Sequence, residues 1–313
     1  MIRLEGADRL RTRAIVTLLH SNEPSGFKAI HRIIREGVVP TTDVVVIVAS
    51  VDAAQTSPLL SHRHLQSEED LNRCFTPPFD TPQRQLAASI LQYLQTLEPE
   101  VVIDTHNTSS HSEPSCVAAN HKPETRLWST LFCPRLVVLT ATLGTLLEQT
   151  IAQAPVITVE FGSWMDPRVG DIAFETMKRF MNVDDPASVP ADPQPQVLLH
   201  QPRRLLLSDE AHLSYGAGMT AHNDAEHLTL INSIDQCNFK RLSVGTTLGW
   251  CSSNHLPVKL DHTDDSITNY LTVSGNTVTT VARVMLFMAT TDATIAAEDC
   301  IAYLVPERNI QTV

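Results

Sequence analysis

Residues 14–23 read Ala14-Ile15-Val16-Thr17-Leu18-Leu19-His20-Ser21-Asn22-Glu23, a short and almost wholly apolar run that passes directly into four polar residues, with Pro24 next. An apolar run of this length, closed by polar residues and a proline, predicts a buried strand ending in a turn. Beyond the turn, Pro24 is expected as the first residue of a helix. Phe27, Ile30 and Ile34 recur at helical spacing, and Gly37 stands in the usual stop position. A second buried strand is expected over residues 44–49. Strand, helix and strand in this order make a β-α-β unit, so the fold class is α/β. His20 to Glu23 then occupy the carboxyl edge of the sheet, where ligands bind in open α/β sheets.

The pattern repeats down the chain. Thr81-Pro82 predicts a cap and first turn, followed by Leu86, Ile90, Tyr93, Leu94 and Leu97 on one helical face, and residues 101–105 predict the next strand. Strands are also expected over 135–140 and 156–161, and Asp166-Pro167 should open a helix running to about Asn182. All of this is expected to form one domain over residues 1–190. Residues 184–195, with Asp184, Asp185, Pro186, Pro190, Pro193 and Pro195, lack apolar periodicity and read as a linker. Beyond it, segments around 196–200, 226–231, 270–273 and 277–288 are rich in Thr, Val and Leu, with Gly275-Asn276 as a hairpin turn. Residues 191–313 are therefore expected to form a smaller all-β domain.

The 313 residues carry a formal net charge of −12, with 23 Lys and Arg against 35 Asp and Glu. Such a balance argues against a general affinity for nucleic acid, which needs a basic surface, and points to a small-molecule ligand. If that ligand is an anion, its capture needs arginines within a Debye length of roughly 8–10 Å. Residues 1–13 hold four arginines and no apolar stretch of secretory length, and nowhere do about 18 apolar residues run together. No membrane association is expected. The six cysteines form no CxxC pair and read as reduced thiols, in keeping with a cytoplasmic protein.

Taken alone, HxxE is short and common, and His20 and Glu23 fit a loop histidine and a helix-capping glutamate as readily as a metal site. His106, in Asp104-Thr105-His106-Asn107-Thr108, adds a third ligand at the end of another strand. Three such side chains converging on one sheet edge favour a metal site. Two histidines and one carboxylate leave a fourth tetrahedral position for water, the pattern of catalytic zinc. Asp104, two residues before His106, either orients its imidazole or is an ordinary polar strand end. Glu160 ends an apolar strand and either faces a polar pocket as a general base or emerges into solvent. Asn72 and Arg73, in Asp70-Leu71-Asn72-Arg73, offer the hydrogen bonds a carboxylate ligand needs. Arg63 stands ten residues earlier, between His62 and His64.

His20-Ser21-Asn22-Glu23-Pro24-Ser25-Gly26, Asp70-Leu71-Asn72-Arg73, Asp104-Thr105-His106-Asn107-Thr108 and Thr158-Val159-Glu160-Phe161-Gly162 occur in an order and spacing that resemble the succinylglutamate desuccinylase/aspartoacylase family, a branch of the zinc carboxypeptidase superfamily. The resemblance spans roughly residues 14–165. It implies a zinc-carboxypeptidase-like mixed sheet flanked by helices, one Zn2+ per chain, and hydrolysis of a small anionic N-acyl amino acid, in a possible homo-oligomer. By position it implies His20, Glu23 and His106 as zinc ligands, Glu160 as general base, and Asn72, Arg73 and Arg63 as substrate contacts. The spacing from Arg63 to Asn72-Arg73 is about two residues longer than in the aspartoacylase pattern. The glycines usual around the first histidine are replaced by Thr17, Leu18, Leu19 and Ser21. Gly245-Thr246-Thr247-Leu248-Gly249 resembles a turn in the family's β domain, and no functional residue is carried over from that region. A peptide-cleaving carboxypeptidase and a non-catalytic metal-binding relative are the alternatives.

Overall fold

In the computed structural model, the described residues are 1–140, 142–189, 195–219, 226–261 and 263–313. The opening motif folds as strand β2 (Asp8–Thr17; β1 is Ile2–Leu4), helix α1 (Ser25–Arg35) and strand β3 (Thr42–Val48). Pro24 lies one position earlier than expected, capping α1 rather than beginning it, and Gly37 ends the helix at φ +67°. Alternate residues of β2 face opposite sides of the sheet. Ile15 packs with Ala29, Ile30 and Ile33 of α1, whereas Ala14 and Val16 pack with Ala87, Ile90 and Leu94 of a later helix. Helices therefore cover both faces, and this is why residues 14–19 are apolar without alternation.

After the short α2 (Val51–Gln55) comes α3 (Pro82–Leu97), whose Thr81 side chain accepts from the Arg84 amide as its cap. Leu86 is 40% exposed and Ala87 takes the inward position. Next follow β4 (Val102–Thr108), β5 (Ser115–Ala118), α4 (Pro123–Thr130), β6 (Arg135–Val138), β7 (Val156–Ser163), α5 (Val169–Asn182) and β8 (Val197–His200). α5 begins later than Asp166-Pro167 predicts. The Asp166 carboxylate caps a turn by accepting from the Arg168 amide, and Arg168 becomes the residue before the helix.

The sheet has nine strands in the order β1-β3-β2-β4-β7-β5-β6-β8, with Ile310–Thr312 at the far edge. β2 runs parallel to β3 and β4, while β5 runs antiparallel to β7, so the sheet is mixed. Residues 196–200, read from sequence with the C-terminal β segments, supply a strand of this sheet instead.

The chain divides into two compact units. One holds Met1–Asn107, Pro114–Leu198 and Thr312–Val313; the other holds Thr108–Glu113 and Leu199–Gln311. Of the expected linker, Pro190 and Pro193 lie outside the described residues, whereas Pro186–Ser188 forms a 3-10 turn capped by the Asp185 side chain. The second unit is β-rich. Its two five-stranded sheets share a core that includes Leu205, Leu228, Leu248, Val278, Leu286 and Leu304, and among its described residues is the short helix Ala293–Glu298. Gly275 and Asn276 turn the hairpin between Leu271–Ser274 and Thr277–Thr280 with φ +57° and +75°, the handedness a two-residue hairpin turn requires. The segment 277–288, expected as one stretch, is two strands, Thr277–Thr280 and Val284–Phe287.

Candidate active site

His20 and Glu23 lie in the turn between β2 and α1, and His106 projects from β4, the strand paired with β2. All three side chains are buried, and their ligand atoms lie within 4.8 Å of one another. The Glu23 carboxylate spans the two rings, with Oε1 2.9 Å from His20 Nδ1 and Oε2 2.7 Å from His106 Nδ1. The rings meet edge to face at 4.9 Å.

The far side of each ring is also held. His106 Nε2 lies 2.8 Å from Asp104 Oδ2, the alternate-residue pairing that the strand period allows, and His20 Nε2 lies 3.1 Å from Asp70 Oδ1. Both imidazoles thus turn Nδ1 towards Glu23 while a carboxylate fixes Nε2, the outer support that metal-binding histidines receive. Asp104 Oδ1 and Glu160 Oε2 are buried and lack a hydrogen-bond partner among the described residues. Two imidazole nitrogens and a carboxylate, with uncompensated carboxylate oxygens nearby, fit a divalent cation.

Close backbone approach brings Glu23 to His106. At Gly26, in the first turn of α1, a Cβ would fall 2.2 Å from Thr105 Oγ1 and 2.5 Å from Thr105 Cβ, so α1 meets β4 at a separation only glycine permits. Asn107 completes the join. Its backbone amide donates to Glu23 Oε2 (3.1 Å), its Oδ1 accepts from the Ser25 amide (3.1 Å), and its Nδ2 donates to Gly162 O (2.8 Å). Just before His20, Leu18 adopts φ +58°, a left-handed conformation that costs a branched residue about 1–2 kcal/mol. The Ser50 amide and hydroxyl hold it there, donating to Leu18 O and Leu19 O.

Burial opposes ionisation of Glu23, yet the charges of His20 and His106 and their hydrogen bonds hold its carboxyl well below the usual range. Burial likewise works against charge on His106, but Asp104 and Glu23 outweigh it and raise the imidazole well above its ordinary value. For Glu160 burial wins. Its carboxyl is pushed up to about 7, although the nearby histidines act the other way. Glu160 is buried, so of the two readings open in the sequence the structure excludes emergence into solvent.

Asp70 draws the second motif onto the site. Its Oδ2 accepts two bonds from Arg63, from Nε at 3.0 Å and Nη2 at 2.9 Å, and Arg63 Nη1 reaches Glu23 Oε1 at 3.4 Å. Burial opposes charge on Asp70, but the His20 hydrogen bond and the charges of His20, Arg63 and Arg73 hold it far below the usual range. Arg63 therefore stands beside the cluster despite its unusual spacing. Asn72 is buried, with Oδ1 accepting from the Leu146 amide (3.1 Å), and Arg73 Nη1 donates to Asn72 O (2.9 Å). His62 and His64 bond to the carbonyls of Ser57 and Leu65, as loop histidines do. Sequence reading gave no role to Asp70 or Asn107, although both lie inside the quoted motifs. Tyr270, in the second unit, donates its hydroxyl to Asp265.

A mixed sheet flanked by helices, with a His-Glu-His cluster at its carboxyl edge and a buried carboxylate beside it, defines an α/β fold with a candidate metal site. The family model for the succinylglutamate desuccinylase/aspartoacylase catalytic domain matches residues 10–183, and the chain belongs to that family, whose members are acylase- and desuccinylase-type hydrolases. Among solved structures it is similar to a succinylglutamate desuccinylase from a Silicibacter species (15% identity, TM-score 0.63, 97% of this chain and 87% of that one). It is also similar to a product-bound ectoine utilization protein from Ruegeria pomeroyi (15%, 0.62, 97% and 87%) and to murine aminoacylase 3 (16%, 0.57, 98% of each). At these identities the likeness is one of fold. No curated protein sequence matches the chain. Among the described residues no helix is long and apolar enough to cross a membrane.

Proposed function

We propose that this protein is a zinc-dependent amidohydrolase that cleaves the amide bond of a small anionic N-acyl amino acid, releasing a carboxylate and a free amine. The observation that carries the reading is the pair of imidazoles whose Nδ1 atoms converge on Glu23 while Asp70 and Asp104 hold their far nitrogens. His20, Glu23 and His106 would hold one zinc ion. When bound, zinc supplies a Lewis acid for the scissile carbonyl.

Glu160 is the general base. Its carboxylate takes a proton from the attacking water and delivers it to the departing nitrogen. A carboxyl raised to about 7 suits both transfers near neutral pH. Asp104 keeps the His106 ring in one tautomer and orientation, and Asp70 does the same for His20. Arg73 and the amide group of Asn72 grip the substrate carboxylate, with Asn72 locked by its bond to the Leu146 amide. Arg63 adds a second positive charge beside Glu23. These arginines answer the need for local cations in a chain of net charge −12.

The test is a hydrolysis screen of N-acetyl and N-succinyl amino acids beside short peptides, on protein of known zinc content, with a chelator control. Chelator-sensitive release of free amine from N-acyl amino acids is expected, and Glu160→Gln should remove at least about a hundredfold of turnover while zinc stays bound. Cleavage of peptides alone would make the protein a carboxypeptidase. Zinc binding with no hydrolysis of any substrate would make it a binding protein.

A further inference from the structure

We infer that Ser21 is a positioning residue that fixes the loop carrying Arg63, and through it the place of Arg63 beside the cluster. The inference rests on the proposed function, in which Arg63 acts on the substrate. Ser21 is fully buried between His20 and the residues leading to Glu23. Both of its donors go to two consecutive carbonyls of one loop. The hydroxyl donates to His62 O and the backbone amide to Arg63 O (3.1 Å).

From there the connections close on themselves. Arg63 donates two bonds to Asp70 Oδ2, Asp70 Oδ1 meets His20 Nε2, and His20 is covalently joined to Ser21. Within the loop, the His62 and His64 side chains bond to the carbonyls of Ser57 and Leu65 in the same segment. A glycine at position 21 retains the amide bond and loses the hydroxyl bond. The serine therefore adds the second of two clamps, and two clamps on adjacent carbonyls fix the direction in which the intervening Arg63 side chain leaves the backbone.

Ser21→Ala and Ser21→Gly test the inference with two readouts. In metal-free protein, amide hydrogen exchange over residues 61–66 should accelerate about tenfold in both variants, the size of one buried hydrogen bond, while exchange in β4 stays as in the wild type. In zinc-loaded protein, Ser21→Ala should lower kcat/KM for the substrate found in the screen by about tenfold, but by less than about twofold in an Arg63→Ala background, because the hydroxyl acts through that arginine. Unchanged exchange in the loop, or an equal loss in both backgrounds, would overturn the inference. If wild-type protein hydrolyses nothing, the proposed function falls, and the exchange readout still decides whether Ser21 clamps the loop.

Discussion

Replacing Glu160 by Gln in the metal-free protein should change how stability depends on pH, and the size follows from the burial of one carboxyl. Its folded value of about 7 lies above the ordinary 4.5 because burial disfavours the charged form. A raised acid stabilises the fold while protonated. That contribution is complete below about 4.5, declines as pH rises and is gone above about 7, and the interval corresponds to about 3 kcal/mol. The Gln variant does not titrate there. Urea unfolding of the two metal-free proteins from pH 5 to pH 8 should therefore show the variant gaining about 2.5 kcal/mol on the wild type as pH rises, since part of the contribution is already lost at pH 5. A difference constant to about 0.5 kcal/mol across that range would refute the claim that Glu160 is held protonated by burial.

Two further substitutions probe the supports of the site. Asp70→Asn should weaken zinc binding by about 10- to 100-fold in chelator competition, since it disturbs the acceptor that orients His20; unaltered affinity would remove Asp70 from that role. Gly26→Ala should destabilise the protein by about 1–3 kcal/mol in denaturant titration, because its methyl meets Thr105, and a neutral effect would mean that α1 shifts off β4 without cost.

Much of this arrangement was legible in the sequence because the relevant signals are local. The apolar run ending at Leu19, the polar turn and the helix stop at Gly37 placed the β-α-β unit, and the two-residue step from Asp104 to His106 offered their pairing as one of two readings. What escaped was carried by distant partners or short elements. Asp70 reaches His20 across 50 residues, and nothing local to either position announces the contact. Strand β5, Ser115–Ala118, is four residues with no alternation to detect, and its antiparallel pairing of Ser115 with Glu160 is a tertiary fact. The strand at 197–200 has the composition of the β-rich C-terminal part, so only its partners assign it to the large sheet. Pro24 and Asp166 misplaced helix starts by one or a few residues because a residue that favours a first turn also serves in the cap before it.

The central claim is that His20, Glu23 and His106 together hold one metal ion, and equilibrium dialysis against zinc, with the metal counted per chain, tests it most directly. Wild-type protein should take up one ion per chain, and His106→Ala should lose at least about a hundredfold in affinity, with far-UV circular dichroism unchanged. No uptake by the wild type, or undiminished uptake by the variant, would contradict it.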